Sequence, residues 1–313
     1  MKKMLFITLF FLAVPSFFIL KIYKEPELKK EINIINNESE ISYTEDKTKK
    51  MYIKVNQTSK NKIIKIDLEE YVIGVIAGEM PASFEMEALK AQAIASRTYA
   101  IYKMKSSKGT YDLVTDKSNQ VYITKDAMQE NWQSNYEYYY NKIKKAVDET
   151  KGLVMTYDKD VILSMYFAKS NGKTEDSSYV FGSNKEYLQS VESPESNFTS
   201  NVSINKKEFC NKLNIDCKSI IIKDINKTSS GRVNTINING KEFKGTEIRS
   251  LLGLRSTDFT ININDTINIT MNGYGHGVGM SQYGANEYAK SGKNYEEILK
   301  HYYQNINIEK ISV

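Results

Sequence analysis

The stretch "EALKAQAIASRTYAIYK" constrains the fold more than any other part of the chain. Small residues recur through it at Ala88, Ala91, Ala93, Ala95, Ser96 and Ala100. At helical spacing they fall on more than one face, so a helix here is packed closely on several sides and belongs at the centre of the fold. Arg97 lies within it, and a buried guanidinium is costly unless it finds a partner. The helix is expected to begin near Ser83, with Glu85 and Glu87 favouring its positive end. A chain of 313 residues, 41% hydrophobic and 26% charged, has the apolar material to surround such a helix.

The neighbouring segments suggest what surrounds it. "MYIKVNQTSKNKIIKIDLEEYV" opens with two alternating runs around "QTSKN", a hairpin signal. Asp67 then starts a helix with Glu70 three residues on, as in a capping box. This helix, "LEEYVIGVIA", stops at Gly78, and Glu79-Met80-Pro81 connects it to the small-residue helix. "NYEYYYNKIKKAVDETKG" reads as an amphipathic helix ending at Gly152. Its tyrosines 136, 138, 139 and 140 either stack on sugars or divide between a buried and an exposed face. Apolar strands follow, with Asn171-Gly172 as a hairpin signal. Residues 187–270 carry strand-like "VNTININ" and "FTININDTINIT" and helical "KEFCNKL" and "GTEIRSLLG". The C-terminal part holds a glycine-alternating strand, a helix from Ser281, a turn at Ser291-Gly292 and a last helix. The class is α+β, as a single domain over residues 51–313.

The N-terminus speaks to location. Lys2 and Lys3 precede an apolar run from Met4 to Leu20, at the short edge of a bilayer span and extendable through Ile22 and Tyr23. A cleaved signal peptide has the same start, but no small-x-small cleavage site follows, which favours an anchor over residues 1–23. Basic charge at that end predicts a cytoplasmic N-terminus and an exported body. Residues 24–50 carry mixed charge without an apolar period and read as a linker. The net charge of +5 suits an anionic surface and does not demand nucleic acid. Cys210 and Cys217 either form one bridge or stay free. With only two histidines, His276 and His301, a multi-histidine metal centre is excluded.

Three segments are candidates for chemistry. Glu79 stands between an apolar helix and a packed one; a carboxyl group in apolar surroundings holds its proton to higher pH and can act as a general acid. The alternative is an exposed loop glutamate. In "AKSNGKTEDS", Ser170, Asn171 and Thr174 either line a groove for sugar hydroxyls and N-acetyl groups or form a plain hairpin. In "GYGHGVGMSQYGA", alternating glycines leave one strand face bare for a ligand or another backbone, with His276 on the opposite face and Ser281 and Gln282 opening a helix. Val278 occupies the last glycine position of G-x-G-x-x-G, so that dinucleotide pattern is absent.

Taken together, "LEEYVIGVIAGEMPASFEMEALKAQAIASRTYA", "SNGKTEDSSYVFG…YLQSVESPES" and "GYGHGVGMSQYGA" resemble the stage II sporulation protein D family, in the family order and across essentially all of residues 51–313. The resemblance implies a glycan groove and a lytic transglycosylase. Such an enzyme cleaves the β-1,4 bond between N-acetylmuramic acid and N-acetylglucosamine in peptidoglycan strands stripped of stem peptides, leaving 1,6-anhydro ends. It implies Glu79 as the single catalytic residue, with Arg97, Ser170, Asn171, Thr174, His276 and Gln282 as candidate substrate-binding residues. Some clostridial relatives look to carry a zinc cluster in the region matching residues 115–145; this chain has no histidine or cysteine there, so no metal or other cofactor is expected.

The resemblance further implies work during engulfment, anchored in the mother-cell membrane with the catalytic domain extracytoplasmic. Its expected partners are peptidoglycan glycan strands, the sporulation amidase (stage II sporulation protein P) and stage II sporulation protein M, with no nucleic acid. Two rivals remain. One is a muramidase that hydrolyses with water, using Glu79 and a second acid such as Glu85 or Asp67. The other is a non-catalytic glycan-binding scaffold that recruits or activates a cell-wall amidase.

Overall fold

The computed structural model describes residues 50–311, Asn61 excepted. The expected anchor (1–23) and all but the last residue of the expected linker (24–50) lie outside the described residues. Among the described residues, no helix is long and apolar enough to cross a membrane.

The chain opens as expected with an antiparallel hairpin, β1 (Tyr52–Gln57) and β2 (Lys62–Asp67), Tyr52 facing Asp67. Asp67 caps α1 (Leu68–Glu79), its Oδ1 accepting from the backbone N–H groups of Glu69 and Glu70. Glu70 itself turns to Lys125 at 3.1 Å. The helix runs one residue past Gly78, which makes Glu79 its last helical residue and not a loop residue. After Pro81, α2 (Met86–Ser106) begins three residues later than the sequence suggests, with Glu85 at its N-cap. The delay follows from Pro81, whose carbonyl accepts from Phe84 in a turn of its own.

Next come β3 (Leu113–Val114), parallel to β1, then α3 (Lys125–Trp132), α4 (Tyr136–Glu149), β4 (Leu153–Tyr157), β5 (Asp160–Val161), β6 (Tyr166–Phe167) and α5 (Ser177–Phe181). The segment 199–272 holds β7 (Thr199–Ile204), α6 (Lys206–Leu213), β8 (Ile222–Lys227), β9 (Val233–Ile238), β10 (Lys241–Lys244), α7 (Gly245–Leu252), β11 (Asp258–Ile263) and β12 (Ile267–Asn272). The chain closes with β13 (Met280–Ser281), α8 (Gln282–Lys290), α9 (Tyr295–Tyr302) and β14 (Asn307–Lys310). Helices and small sheets mix in the manner of an α+β fold.

α2 is the hub. It packs against α1, α4, α8, α9 and β4. Ala88, Ala91, Ile94 and Ala95 face α8 and α9; Leu89 and Ala93 face α1 and α4; Ala100 and Ile101 face the β1 hairpin. A small side chain at each crossing lets the axes approach closely, which is why this helix tolerates neighbours all round. Residues 204–271 form a separate apolar core from two three-stranded sheets, β10-β9-β8 and β11-β12-β7, under α6 and α7. The two ends of this insertion meet where Gly273 N–H donates to the Phe198 carbonyl at 2.8 Å. Within it Cys210 and Cys217 are bridged, which settles the pairing that spacing left open.

Two local expectations change. Asn171-Gly172 does not turn a hairpin: Lys169 bridges to Tyr274 and Lys173 to Glu192, so the chain passes from one partner to another. The segment 273–279 is not a strand, because all four of its glycines have positive φ, from 77 to 122°. That backbone is barred to ordinary strands and suits a chain that coils against its neighbour.

Arg97 is fully buried, and its partner is Glu69. Nε and Nη2 grip the carboxylate in a fork (3.0 and 2.6 Å), Nη1 donates to the Leu153 carbonyl, and Nη2 reaches that of Val147. Arg97 therefore joins α1, α2, α4 and β4, and its donors are spent inside the protein. It is a structural residue here and not a substrate contact. Arg97→Ala should destabilise the fold by about 3 kcal/mol, the low end for breaking a buried pair because Glu69 keeps some water access. Denaturant unfolding of the variant against the parent measures this.

Candidate active site

α1 delivers Glu79 to its place, and two glycines one turn apart decide how. A Cβ on Gly78 would sit 2.8 Å from the Val121 carbonyl oxygen, and one on Gly74 would overlap the Tyr122 ring. Without those side chains, residues 121–123 lie directly on the helix, with Ile123 N–H donating to the Gly74 carbonyl at 3.1 Å. This contact brings Val121 N–H to Glu79 Oε1 at 2.6 Å. A charge-assisted bond of that length fixes the carboxylate's position.

The carboxylate is half-buried, and burial is the main reason its pKa rises to about 7. Its place at the negative end of the α1 dipole acts in the same sense. Val121 N–H, a hydrogen bond from the Gln282 side chain and the charge of Lys117 pull in the opposite direction and hold the value near neutrality. Gln282 is the first residue of α8, whose N-cap Ser281 accepts from Gly284 N–H. Behind the site runs a row of buried amides: Gln282 donates to Gln92, Gln92 to Ser96 Oγ, and Gln120 to the Ser96 carbonyl and to Tyr166. Tyr71 in turn donates to Gln120. Burial first, and then the charge of Glu79, raise the phenol pKa values of Tyr71, Tyr99 and Tyr166, so all three stay protonated beside the carboxyl group. The arrangement is a carboxylic acid poised to give and take a proton near pH 7.

Residues 56–157 match the family described as Stage II sporulation protein. Over 268 residues the chain is 42% identical to stage II sporulation protein D of Bacillus subtilis (strain 168), covering 82% of this chain and 78% of that one. The same protein of Bacillus amyloliquefaciens is 41% identical over the same shares. The chain belongs to the stage II sporulation protein D family. It is also 31% identical to an amidase enhancer of Bacillus subtilis (strain 168), over 74% of this chain and 39% of that protein.

Of the residues this family resemblance singled out, Glu79 and Gln282 meet. The others take different places. Ser170 and Thr174 are fully buried: Ser170 Oγ accepts from Gly172 N–H, and Thr174 Oγ1 donates to the Gln189 carbonyl and accepts from Val191 N–H. Asn171 donates to the Ser230 carbonyl and to Asp258, tying this loop to the insertion. His276 uses both nitrogens, Nδ1 accepting from Val278 N–H and the other donating to the Tyr166 carbonyl, between the rings of Phe167 and Phe181. Burial, with the nearby Arg249 and Arg232 charges, lowers its pKa to about 4. It is a neutral, satisfied histidine that holds β6 in place. Ser170, Thr174 and His276, like Arg97, thus bond within the fold at positions where the family resemblance implied substrate contacts.

Sequence reading missed Val121, Gln92, Gln120, Tyr166 and Lys117. A backbone N–H leaves no trace in sequence, but Gly74 and Gly78 at i, i+4 in an apolar helix do signal a close approach. Also missed was Glu195, buried with acceptor bonds from Ser170 N–H, Ser193 and Ser281, which anchors the N-terminus of α8.

Two outcomes follow from this geometry. Gly78→Ala should cost about 1–3 kcal/mol of stability by overpacking. By withdrawing the Val121 donor it should also move the Glu79 pKa above about 7, read by NMR titration of the carboxyl carbon. The folded-state pKa of Glu79 is raised above its unfolded value of 4.5, so its contribution to stability is full below pH 4.5 and is lost as pH rises through about 7. Glu79→Gln should accordingly raise Tm at pH 8 and leave it nearly unchanged at pH 4.5.

Proposed function

We propose that this protein is a peptidoglycan lytic transglycosylase of sporulation, with Glu79 as its only catalytic residue. The observation that carries the reading is a carboxyl group with a pKa of about 7, held by Val121 N–H and Gln282. Protonated Glu79 donates to the glycosidic oxygen between N-acetylmuramic acid and N-acetylglucosamine as the C1–O bond breaks. The resulting carboxylate faces the oxocarbenium-like centre and then takes the proton of the sugar's own C6 hydroxyl while O6 attacks C1. The product is a 1,6-anhydro end, the acid is regenerated, and water takes no part.

Geometry disfavours Asp67 as the second acid of a hydrolytic rival. A water-activating second carboxylate stands about 6.5–9.5 Å from the acid in an inverting pair. Asp67 caps the far end of the 12-residue helix α1, about 18 Å from Glu79. Glu85 stands at the N-cap of α2, and its charge is felt at Lys142. The charged side chain that acts on Glu79 is Lys117. The likeness to an amidase enhancer favours a second reading, a glycan-binding scaffold that recruits or activates an amidase. In either case the expected setting is the extracytoplasmic face of the mother-cell membrane during engulfment. The expected substrate is strands already stripped by the sporulation amidase, stage II sporulation protein P, with stage II sporulation protein M gathering the proteins at the membrane.

The test is product chemistry. The full chain in mild detergent, and its Glu79→Gln variant, are incubated with intact and with amidase-stripped peptidoglycan, and fragments are read by mass spectrometry. Anhydro-ended fragments from stripped strands are expected, reduced about 10²- to 10⁴-fold in the variant. The parent kcat/KM should fall about tenfold per pH unit above about 7, where the acid loses its proton. Reducible ends point to a hydrolase. Undiminished amidase stimulation by a Glu79→Gln protein that binds glycan, with no cleavage by the parent, leaves the scaffold.

A further inference from the structure

From Gln282 a row of alternating rings and cations leads away from Glu79. Tyr283 follows Gln282 in sequence and meets the edge of Phe84 at 5.0 Å between ring centroids. Lys169 Nζ lies 4.8 Å above the Tyr283 ring and 5.6 Å from that of Phe198. The Arg255 guanidinium lies 5.8 Å from Phe198 and 5.6 Å from Tyr274. Among the described residues neither Lys169 nor Arg255 takes part in an ion pair.

The backbone beneath this row is fixed at every rung. Lys169 and Tyr274 exchange both backbone hydrogen bonds (3.0 and 2.7 Å). Tyr283 N–H donates to the Ala168 carbonyl, Gly273 N–H to that of Phe198, and Gly275 N–H to that of Arg255. Gly273 permits the approach, since a Cβ there would stand 2.9 Å from the Lys169 carbonyl oxygen. A spacing held this firmly is pre-organised for a ligand of fixed repeat. Rings offer faces to sugars, and exposed or half-buried cations without acidic partners offer sites to carboxylates.

We propose that Lys169 and Arg255 bind the free lactyl carboxylates of stripped glycan and so give the site its preference for strands that have lost their stem peptides. The inference rests on the glycan reading above. In an intact strand each lactyl group is an uncharged amide carrying a peptide. Hydrolysis of that amide leaves one carboxylate on each muramic acid, a charge that recurs once per disaccharide along the strand. Two cations, 5.6 and 5.8 Å from the Phe198 ring, read this repeat.

Binding, and not cleavage, is the test, so its failure is distinct from failure of the transglycosylase reading. The full chain in mild detergent is titrated with stripped glycan strands, and with the same strands after their carboxylates are converted to methylamides. The parent should bind free-carboxylate strands at least about tenfold more tightly, as expected for one charge-assisted hydrogen bond, and the advantage should shrink with added salt. In Lys169→Gln/Arg255→Gln the advantage should vanish while binding of methylamide strands stays as in the parent. Lys169→Arg should keep it, and an unchanged Tm shows that the double variant is folded. Equal binding of the two strands by the parent, binding of neither, or a preference that survives in the folded double variant would overturn the proposal.

Discussion

The fork between Arg97 and Glu69 is the interaction on which the site depends. A fully buried guanidinium has a large desolvation cost, and only the paired carboxylate and the carbonyls of Val147 and Leu153 offset it. An apolar pair of equal volume would hold the helices together about as well. The bidentate pair adds direction, favouring one rotation of α1 against α2. Since Glu79 and Glu69 share a helix, fixing the rotation of α1 fixes where the Glu79 carboxylate points. Gly152 N–H adds a further donor to Glu69 and ties the start of β4 to the same carboxylate.

The chemistry of Glu79 comes from a balance between opposed influences. Burial and the helix end favour the protonated acid; Val121 N–H, Gln282 and Lys117 favour the carboxylate. With burial alone the group would hold its proton too tightly to serve as a base in the second half of a reaction. With the donors alone it would be ionised throughout and useless as an acid. The chain reaches the middle by bringing the donors from distant parts of the fold: one from the loop after β3, one from the start of α8. Both depend on α2, because its small residues let α1 and α8 pack on its opposite sides.

The central helix, the β1–β2 hairpin, the cap at Asp67, the start of a helix at Ser281 and the helices of the insertion were legible in the sequence, because each rests on local periodicity or on one side chain bonding its own backbone. The position of Glu79 between an apolar helix and a packed one made it a candidate but fitted an exposed loop glutamate as well, and it was the family resemblance that singled it out. What the sequence could not reveal depends on which distant segments touch. Ser170, Thr174 and His276 carry the residue types of a binding site, yet their side chains bond Gly172, Gln189, Val191, Val278 and Tyr166 within the fold. Polar side chains serve buried loops as often as they serve ligands, and only the partners tell the two apart. Asn171-Gly172 misled for a related reason: the pair tolerates a tight turn but does not require one.

The glycine segment shows how a conserving device for the interior can also shape a surface. Its bare positions look made for a ligand, but the atoms that fill them are the protein's own: the Lys169 and Met165 carbonyls, the Phe167 side chain and the Arg232 guanidinium. Because the backbone of 273–279 nestles against 165–170, the side chains that alternate with the glycines divide between two directions. Val278 is buried and His276 packs against Phe167 and Phe181, whereas Tyr274 lies beside Lys169 and Arg255. The close approach that leaves no room for a ligand at the glycines is the same one that sets the distance between the two cations. A side chain at Gly273 would therefore push its backbone away from Lys169 and Ser170 and alter the spacing of the two cations without touching either of them.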